Sequence, residues 1–227
     1  MRKTPLLTNE IYHIYNRGVD KRQVFQDRAD LDRFFTSICE FNTLEPIGSL
    51  YQKSFTKNQL SGPTTKLVEI IAYCLNPNHF HIILQQVKDG GISEFMKRLA
   101  GGYSRYFNEK NKRNGALFQG KFKSVHVNSD NYLKHLSAYV NLNFKIGKLS
   151  GPTTKLYRSS WDEYLSDSRE AICKKEIVLE QFKDTEDYKN FCEESLKDIV
   201  NRKKDIEWED FKNITDLGVQ PPSGKLV

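Results

Sequence analysis

Two histidines in the stretch PNHFHIIL, His79 and His81, are the residues best suited to metal chemistry. Residues i and i+2 of a strand project from the same side, so both imidazoles are expected on one face of a sheet, with Phe80 on the other. Two adjacent imidazoles supply half of a divalent metal site. Partly exposed strand histidines with no ligand show the same pattern, so the pair alone leaves both interpretations open.

A second group of polar residues lies in the stretch HLSAYVNLNF. His135, Tyr139 and Asn143 are spaced there at i, i+4 and i+8, which places them along one stripe of a helix. Tyr139 has the chemistry of a nucleophile, and Asn143, one turn later, has that of an oxygen ligand for a metal. The alternative is a tyrosine and an amide at the margin of a core helix, and the sequence by itself favours that alternative.

Other tyrosines and histidines compete for these roles. Tyr103 and Tyr106 lie on the apolar stripe of the preceding helix, where core packing explains them better, although Tyr106 could stack on a base. His13, on the first strand, is expected to be structural. His126 and His135 are expected to form local hydrogen bonds rather than to bind a metal.

The charge is distributed unevenly along the chain, whose formal net charge is +6. Residues 158–227 hold 12 Lys/Arg and 17 Asp/Glu, whereas residues 1–157 hold 23 and 12. Residues 97–123 carry eight Lys/Arg against the single acid Glu109, with aromatic residues interleaved. Cations suit phosphates and flat rings suit unpaired bases, so this pattern indicates a nucleic acid partner, although a solvated basic face would look similar. The predicted phosphate contacts are Arg17, Lys21, Arg22, Arg105, Lys121 and Lys123.

Composition excludes several classes of protein. Four cysteines, Cys39, Cys74, Cys173 and Cys192, are far apart without a C-x-x-C pair, which argues against a zinc site and fits reduced thiols. No apolar run approaches membrane-spanning length, and the N-terminus lacks the apolar core of a signal peptide. We therefore expect a soluble, cytoplasmic protein with no membrane partner.

The order of predicted elements defines a fold. A strand over 10–18, a helix capped by Asp27 or Asp30, a hairpin over 68–86, a helix over 91–111, a strand over 116–127 and a helix over 128–147 follow one another. The first six elements are those of a split βαβ unit, so we predict an α+β fold: a ferredoxin-like antiparallel sheet with helices on one face. Residues 1–157 would form this domain, with an inserted loop at 44–66, and residues 158–227 an acidic, mostly helical tail.

The stretches YHIYNRG, LNPNHFHIIL, GALFQGKFKS and YVNLN, in this order and spacing, resemble the HUH-type transposases with one catalytic tyrosine, specifically the REP-associated, IS200-like branch. The resemblance covers roughly residues 8–165. It implies a ferredoxin-like fold, Mg²⁺ or Mn²⁺ held by His79, His81 and Asn143, and Tyr139 as the nucleophile. One departure is LNFK at 142–145, where the family usually reads LNPV.

The resemblance implies metal-dependent cleavage and transfer of single-stranded DNA with palindromic hairpins, through a 5′-phosphotyrosine, by a monomer or homodimer. A domesticated relative that binds structured nucleic acid without cutting it is the alternative. An unrelated ferredoxin-like RNA-binding module would expose aromatic residues on its central strands, and HFH on a central strand disfavours that class.

The octapeptide LSGPTTKL occurs twice, at 60–67 and at 149–156. As protein it is a turn-forming segment without chemistry. Codons can be chosen for NQLSGPTTKLV (58–68) that make its two arms reverse complements around Pro63, and Lys148 to Leu156 permits the same pairing. We hypothesise that both copies are translated from one palindromic mobile repeat inserted into tolerant loops.

Overall fold

The computed structural model describes residues 5–45, 48, 65–146, 155–166 and 171–202. Most of the predicted inserted loop at 44–66, most of both octapeptides and the C-terminal stretch from residue 203 lie outside the described residues.

The chain alternates strands and helices in the predicted order. The elements are β1 (Ile11–Arg17), α1 (Arg28–Glu40), β2 (Val68–Asn76), β3 (His79–Gln86), α2 (Gly91–Lys110), β4 (Lys123–Val127), α3 (Asp130–Asn141), α4 (Asn143–Ile146), β5 (Arg158–Ser159), α5 (Trp161–Leu165), α6 (Glu176–Leu179) and α7 (Thr185–Arg202). The strands form one antiparallel sheet in the order β4-β1-β3-β2-β5. The predicted α+β, ferredoxin-like fold is confirmed.

Helices α1 and α2 cover the first face of the sheet, as the split βαβ unit predicts. Asp27 caps α1 by accepting a hydrogen bond from the backbone N–H of Asp30 at 2.9 Å. Phe34 on α1 packs against Tyr103 on α2 and Phe80 on β3, with ring centroids 4.9 Å and 5.4 Å away. The period-2 alternation of β3 therefore directs Phe80, Ile82 and Leu84 into this core.

The second face of the sheet is covered as well, by α3 and by residues of the C-terminal segment. Ile71 and Ile83 of the sheet share this core with Leu136 and Val140 of α3 and with Tyr188 of α7. The strand β5 pairs with β2, which fixes the C-terminal segment to the sheet edge. Residues 158–166 and 171–202 therefore pack on the same sheet as the predicted catalytic domain. None of the helices in the described part of the chain has the length and hydropathy needed to cross a bilayer.

Two predicted elements differ from those observed. The strand predicted over 116–127 begins only at Lys123, because Gly120 has a left-handed φ of 70° that breaks the extended backbone. The helix predicted over 128–147 is interrupted at Leu142, whose φ of −103° and ψ of 10° are not helical. Asn143 therefore starts the separate short helix α4 rather than continuing the helix of Tyr139.

Candidate active site

The two strand histidines lie on the second face of the sheet, beneath α3. His79 and His81 are 9% and 2% exposed, and their ring centroids are 5.2 Å apart. Alternation along β3 brings both rings to this face, as the sequence predicts. They are more deeply buried than partly exposed strand histidines would be.

Hydrogen bonds of Asn78 determine the tautomer of His79. The amide nitrogen of Asn78 donates to the backbone carbonyl of Lys21 at 3.3 Å, so its Oδ1 faces Nδ1 of His79, 2.6 Å away. An amide oxygen only accepts, so His79 carries its proton on Nδ1. In the neutral ring, Nε2 of His79 is consequently the unprotonated nitrogen.

The side-chain oxygen of Asn143, a hydrogen-bond acceptor, lies close to His79 Nε2. This oxygen, Oδ1, lies 3.1 Å from that nitrogen and accepts a hydrogen bond from the amide of Asn76 at 2.8 Å. The same Asn76 nitrogen lies 3.2 Å from His79 Nε2. Two electron-rich atoms thus face each other, and the N–H groups of Asn76 supply partial positive charge beside both of them.

The donor set fits an octahedral divalent cation. Neighbouring ligands of such a cation, with bonds of about 2.1 Å, are roughly 3 Å apart, which matches the spacing of His79 Nε2 and Asn143 Oδ1. Within the residues that the structure describes, no three His, Cys, Asp or Glu side chains form a group that could hold a metal. The candidate ligands are instead two imidazoles, a donor type that suits transition metals such as Zn²⁺, and one amide oxygen, a donor type that suits Mg²⁺ or Mn²⁺.

Tyr139 reaches the same site from α3. Its ring meets His81 edge-on, with centroids 5.3 Å apart, and its side chain is 1% exposed. Burial raises the pKa of Tyr139 well above its ordinary value, and a hydrogen bond with Asn143 opposes that rise only in part. The structure therefore brings together Tyr139, Asn143, His79 and His81, whereas His135 contacts Phe191 of α7 at 4.9 Å between ring centroids.

His13 is part of the site, although the sequence suggested only a structural role. Its Nε2 lies 2.8 Å from Nδ1 of His81, and the two rings stack with centroids 5.0 Å apart. Burial lowers the pKa of His13 to about 3, so the ring is neutral at neutral pH. Asn76 and Asn78 were also missed, because in the sequence they are indistinguishable from ordinary residues of an NPN turn.

Most of the predicted phosphate contacts lie at the end of the sheet where β1 ends and β4 begins. Lys123 pairs with Tyr15 across these strands, and its ammonium is 6.0 Å from the centre of the Tyr15 ring, which in turn lies 5.8 Å from His81. The carbonyl of Arg17 accepts from Gln119 at 2.8 Å. Residues at this end are Arg17, Lys21, Arg22, Lys121 and Lys123.

Arg105 and Tyr106 lie on α2, on the opposite layer of the molecule from the histidine side chains. Arg105 is exposed and paired with Glu109 at 2.8 Å. The Tyr106 hydroxyl donates to Asp30 at 3.2 Å, and its ring packs against the first core. Tyr106 therefore contributes to the packing between α2 and α1, which leaves little of its ring available for stacking on a base.

The C-terminal segment holds the helix that carries Tyr139. The amide nitrogen of Asn141 donates to the Tyr188 hydroxyl at 2.8 Å, and its oxygen accepts from Ser160 at 2.5 Å. Ser160 also accepts from the backbone N–H of Tyr73 on β2 at 2.8 Å. These buried contacts link α3, α7 and the sheet into one unit.

Comparison with known proteins relates the part of the chain that holds the candidate site to a family. The model of the family described as "Transposase IS200 like" matches residues 52–143. A similar solved structure is described as "Structure of the REP associates tyrosine transposase bound to a REP hairpin"; it shares 13% identity and a TM-score of 0.43, over 72% of this chain and 82% of that chain. No curated protein matches. The family match confirms the IS200-like resemblance for residues 52–143, and His79, His81, Tyr139 and Asn143 all lie within them.

Proposed function

We propose that the protein is a divalent-cation-dependent strand transferase that cuts and rejoins single-stranded hairpin DNA through Tyr139. The observation that carries the proposal is that a tyrosine, two strand imidazoles and an amide oxygen converge in one site, with the Tyr139 ring edge-on to His81 and Asn143 Oδ1 3.1 Å from His79 Nε2. Few structural roles would require this combination.

The tyrosine supplies the covalent step. Oη of Tyr139 attacks the scissile phosphorus, the bond from phosphorus to the 3′-oxygen breaks, and the phenolic proton is released while the leaving oxygen gains one. The products are a 5′-phosphotyrosine and a free 3′-OH. Attack by another 3′-OH reverses the reaction and regenerates Tyr139, so rejoining needs no ATP.

His79, His81 and Asn143 would hold Mg²⁺ or Mn²⁺. The bound cation would polarise the scissile phosphate and stabilise negative charge on the departing oxygen. Asn76 orients the Asn143 oxygen by donating to it, and Asn78 keeps the proton of His79 on Nδ1. Arg17, Lys21, Arg22, Lys121 and Lys123 would bind the DNA backbone beside the site. A cytoplasmic monomer or homodimer is the form that we expect to act.

A binder that does not cleave is the second candidate, and the burial of Tyr139 favours it. With 1% exposure and a raised pKa, the hydroxyl is neither accessible nor ionised in this conformation. Cleavage would therefore require DNA binding to open the contact between α3 and the sheet. A non-cleaving relative would keep that contact closed.

The two candidates differ in one experiment. The full chain is incubated with single-stranded hairpin oligonucleotides and Mn²⁺ or Mg²⁺, and covalent protein–DNA adducts are separated on denaturing gels. We expect an adduct that chelation of the metal prevents and that Tyr139→Phe abolishes. Tyr132→Phe, which changes another buried tyrosine of α3, is the matched control and should retain the adduct. Hairpin binding without an adduct would instead establish the second candidate.

A further inference from the structure

The proposed reaction does not involve the contact between His13 and His81. His13 lies on β1, diagonally across from His81, since Tyr15 is the residue directly paired with His81. Both side chains are 2% exposed, and their rings are nearly parallel, at an interplanar angle of 21°. The 2.8 Å between His13 Nε2 and His81 Nδ1 is a hydrogen-bond distance.

A hydrogen bond between two neutral imidazoles has two possible arrangements. Each neutral ring carries one N–H and one unprotonated nitrogen, so one ring donates and the other accepts. If His13 donates, His81 carries its own proton on Nε2 and cannot bind a cation through that atom. If His81 donates from Nδ1, its Nε2 is a metal-binding nitrogen.

We propose that His13 is a positioning residue: its Nε2 accepts the Nδ1 proton of His81 and thereby fixes the tautomer in which His81 Nε2 binds the divalent cation. This inference rests on the proposed function, because it concerns the same cation. His13 does for His81 what the Asn78 oxygen does for His79, whose Nδ1 lies 2.6 Å from that oxygen. Partners of this kind, which accept the second N–H of a ligating histidine, raise its basicity and hold its ring.

The stacking explains why a histidine rather than a smaller acceptor suits this position. The His13 ring fills the space beside His81 and also contacts Tyr139 edge-on at 6.3 Å between centroids. Among the described residues, Nδ1 of His13 has no hydrogen-bond partner. In the proposed arrangement, Nδ1 of His13 carries a proton that has no acceptor among these residues, which costs free energy. Binding of the cation to His81 Nε2 must offset that cost.

The first test measures Mn²⁺ affinity of the full chain by electron paramagnetic resonance of free Mn²⁺. Phenylalanine keeps an aromatic ring but accepts no hydrogen bond, so His13→Phe should weaken Mn²⁺ binding about 10- to 100-fold. Glutamine can place an amide oxygen close to the former Nε2, so His13→Gln should restore most of the affinity. His126→Phe, at a half-exposed histidine paired with Glu10 just before β1, is the matched control and should not change the Mn²⁺ affinity.

The second test reads the protons directly, by ¹⁵N nuclear magnetic resonance of the histidines in unsubstituted protein loaded with Mg²⁺. We expect a protonated Nδ1 on His81 and an unprotonated Nε2 on His13. This measurement decides the matter even if His13→Phe does not fold.

Each outcome has a distinct meaning. A protonated Nε2 on His13, or equal Mn²⁺ affinity in the His13→Phe and unsubstituted proteins, overturns the role of His13 and leaves the proposed metal site intact. Failure of the unsubstituted protein to bind Mn²⁺ overturns the proposed metal site and the role of His13 with it.

Discussion

Replacing Asn141 by leucine should weaken the contact between the C-terminal helices and the helix that carries Tyr139. Asn141 is fully buried and makes two side-chain hydrogen bonds, to Tyr188 at 2.8 Å and to Ser160 at 2.5 Å. Leucine has a similar size but forms neither bond. Tyr188 still donates to Ser137 at 3.2 Å, and Ser160 keeps its contacts with Tyr73, so no group loses every partner.

The expected cost follows from these contacts. Two buried hydrogen bonds with net values of about 0.5–1.5 kcal/mol each predict a fall of about 1–3 kcal/mol in the free energy of unfolding of Asn141→Leu. Urea unfolding followed by circular dichroism measures it, as a lower midpoint with an unchanged slope. Relative to the unsubstituted protein, native-state hydrogen exchange of Asn141→Leu should speed up more in α7 than in β3, because the lost bonds join α7 to α3.

Ser137→Ala is the matched control, because it removes the longer contact with Tyr188 and a hydrogen bond to the Lys134 carbonyl within α3, and improves helix propensity. Its destabilisation should be smaller than that of Asn141→Leu. If Asn141→Leu is as stable as Ser137→Ala, or if exchange in α7 is unchanged, the buried polar contacts do not hold the C-terminal helices in place. In that case apolar packing alone would account for the position of α7.

Three further predictions concern the site, the core and the gene. Asn143→Leu should weaken Mn²⁺ binding at least about tenfold and Asn143→Asp should strengthen it, as measured by titration calorimetry, and equal affinities would contradict a ligand role for Asn143. Burial raises the pKa values of Tyr164 and Tyr188 well above 10, so the folded chain retains protons that the unfolded chain loses. The free energy of unfolding should therefore fall as pH rises beyond about 10, with tyrosinate absorbance from these residues appearing only on unfolding. The gene should show inverted-repeat codons across both copies of LSGPTTKL; codons that do not pair, or that differ freely between the copies at third positions, would refute the hypothesis of an inserted palindromic repeat.

The elements that position the site could be predicted from the sequence because their signals are local. Alternation in HFHIILQQ identifies β3 and its two faces, and the spacing of Leu133, Leu136 and Val140 identifies the buried stripe of α3. Ser129, one of the two predicted caps, accepts from the backbone N–H of Tyr132 at 3.2 Å. Once β3 and α3 pack on the same core, Tyr139 must approach His81.

The break at Leu142 could not be predicted by the same reasoning. Helical periodicity continues through Leu142 and Phe144, and no proline or glycine marks the end of α3 before Gly147. Tertiary contacts override that pattern: Phe144 stacks on Tyr157 at 4.0 Å between ring centroids, and Asn143 faces His79. The short helix α4 allows both contacts at once. An uninterrupted helix would also place Tyr139 and Asn143 one turn apart, but it would lack the break at Leu142 that separates α3 from α4.

The hydrogen-bond partners of the two candidate histidine ligands differ in how far they can be predicted from the sequence. The partner of His79 is its own neighbour, Asn78, so the two residues stand side by side in the sequence. Which atom of the Asn78 amide faces His79 depends on the Lys21 carbonyl, which orients that amide. The partner of His81 is His13, on a strand that is adjacent in the sheet but far away along the chain. Only the register of β1 against β3 brings these two rings together, and a shift of one residue would turn His13 to the opposite face. Strand register therefore determines which side chain of β1 faces His81, and a variant that moves β1 by one residue should lose the proposed tautomer of His81 while keeping His79 and His81 on β3.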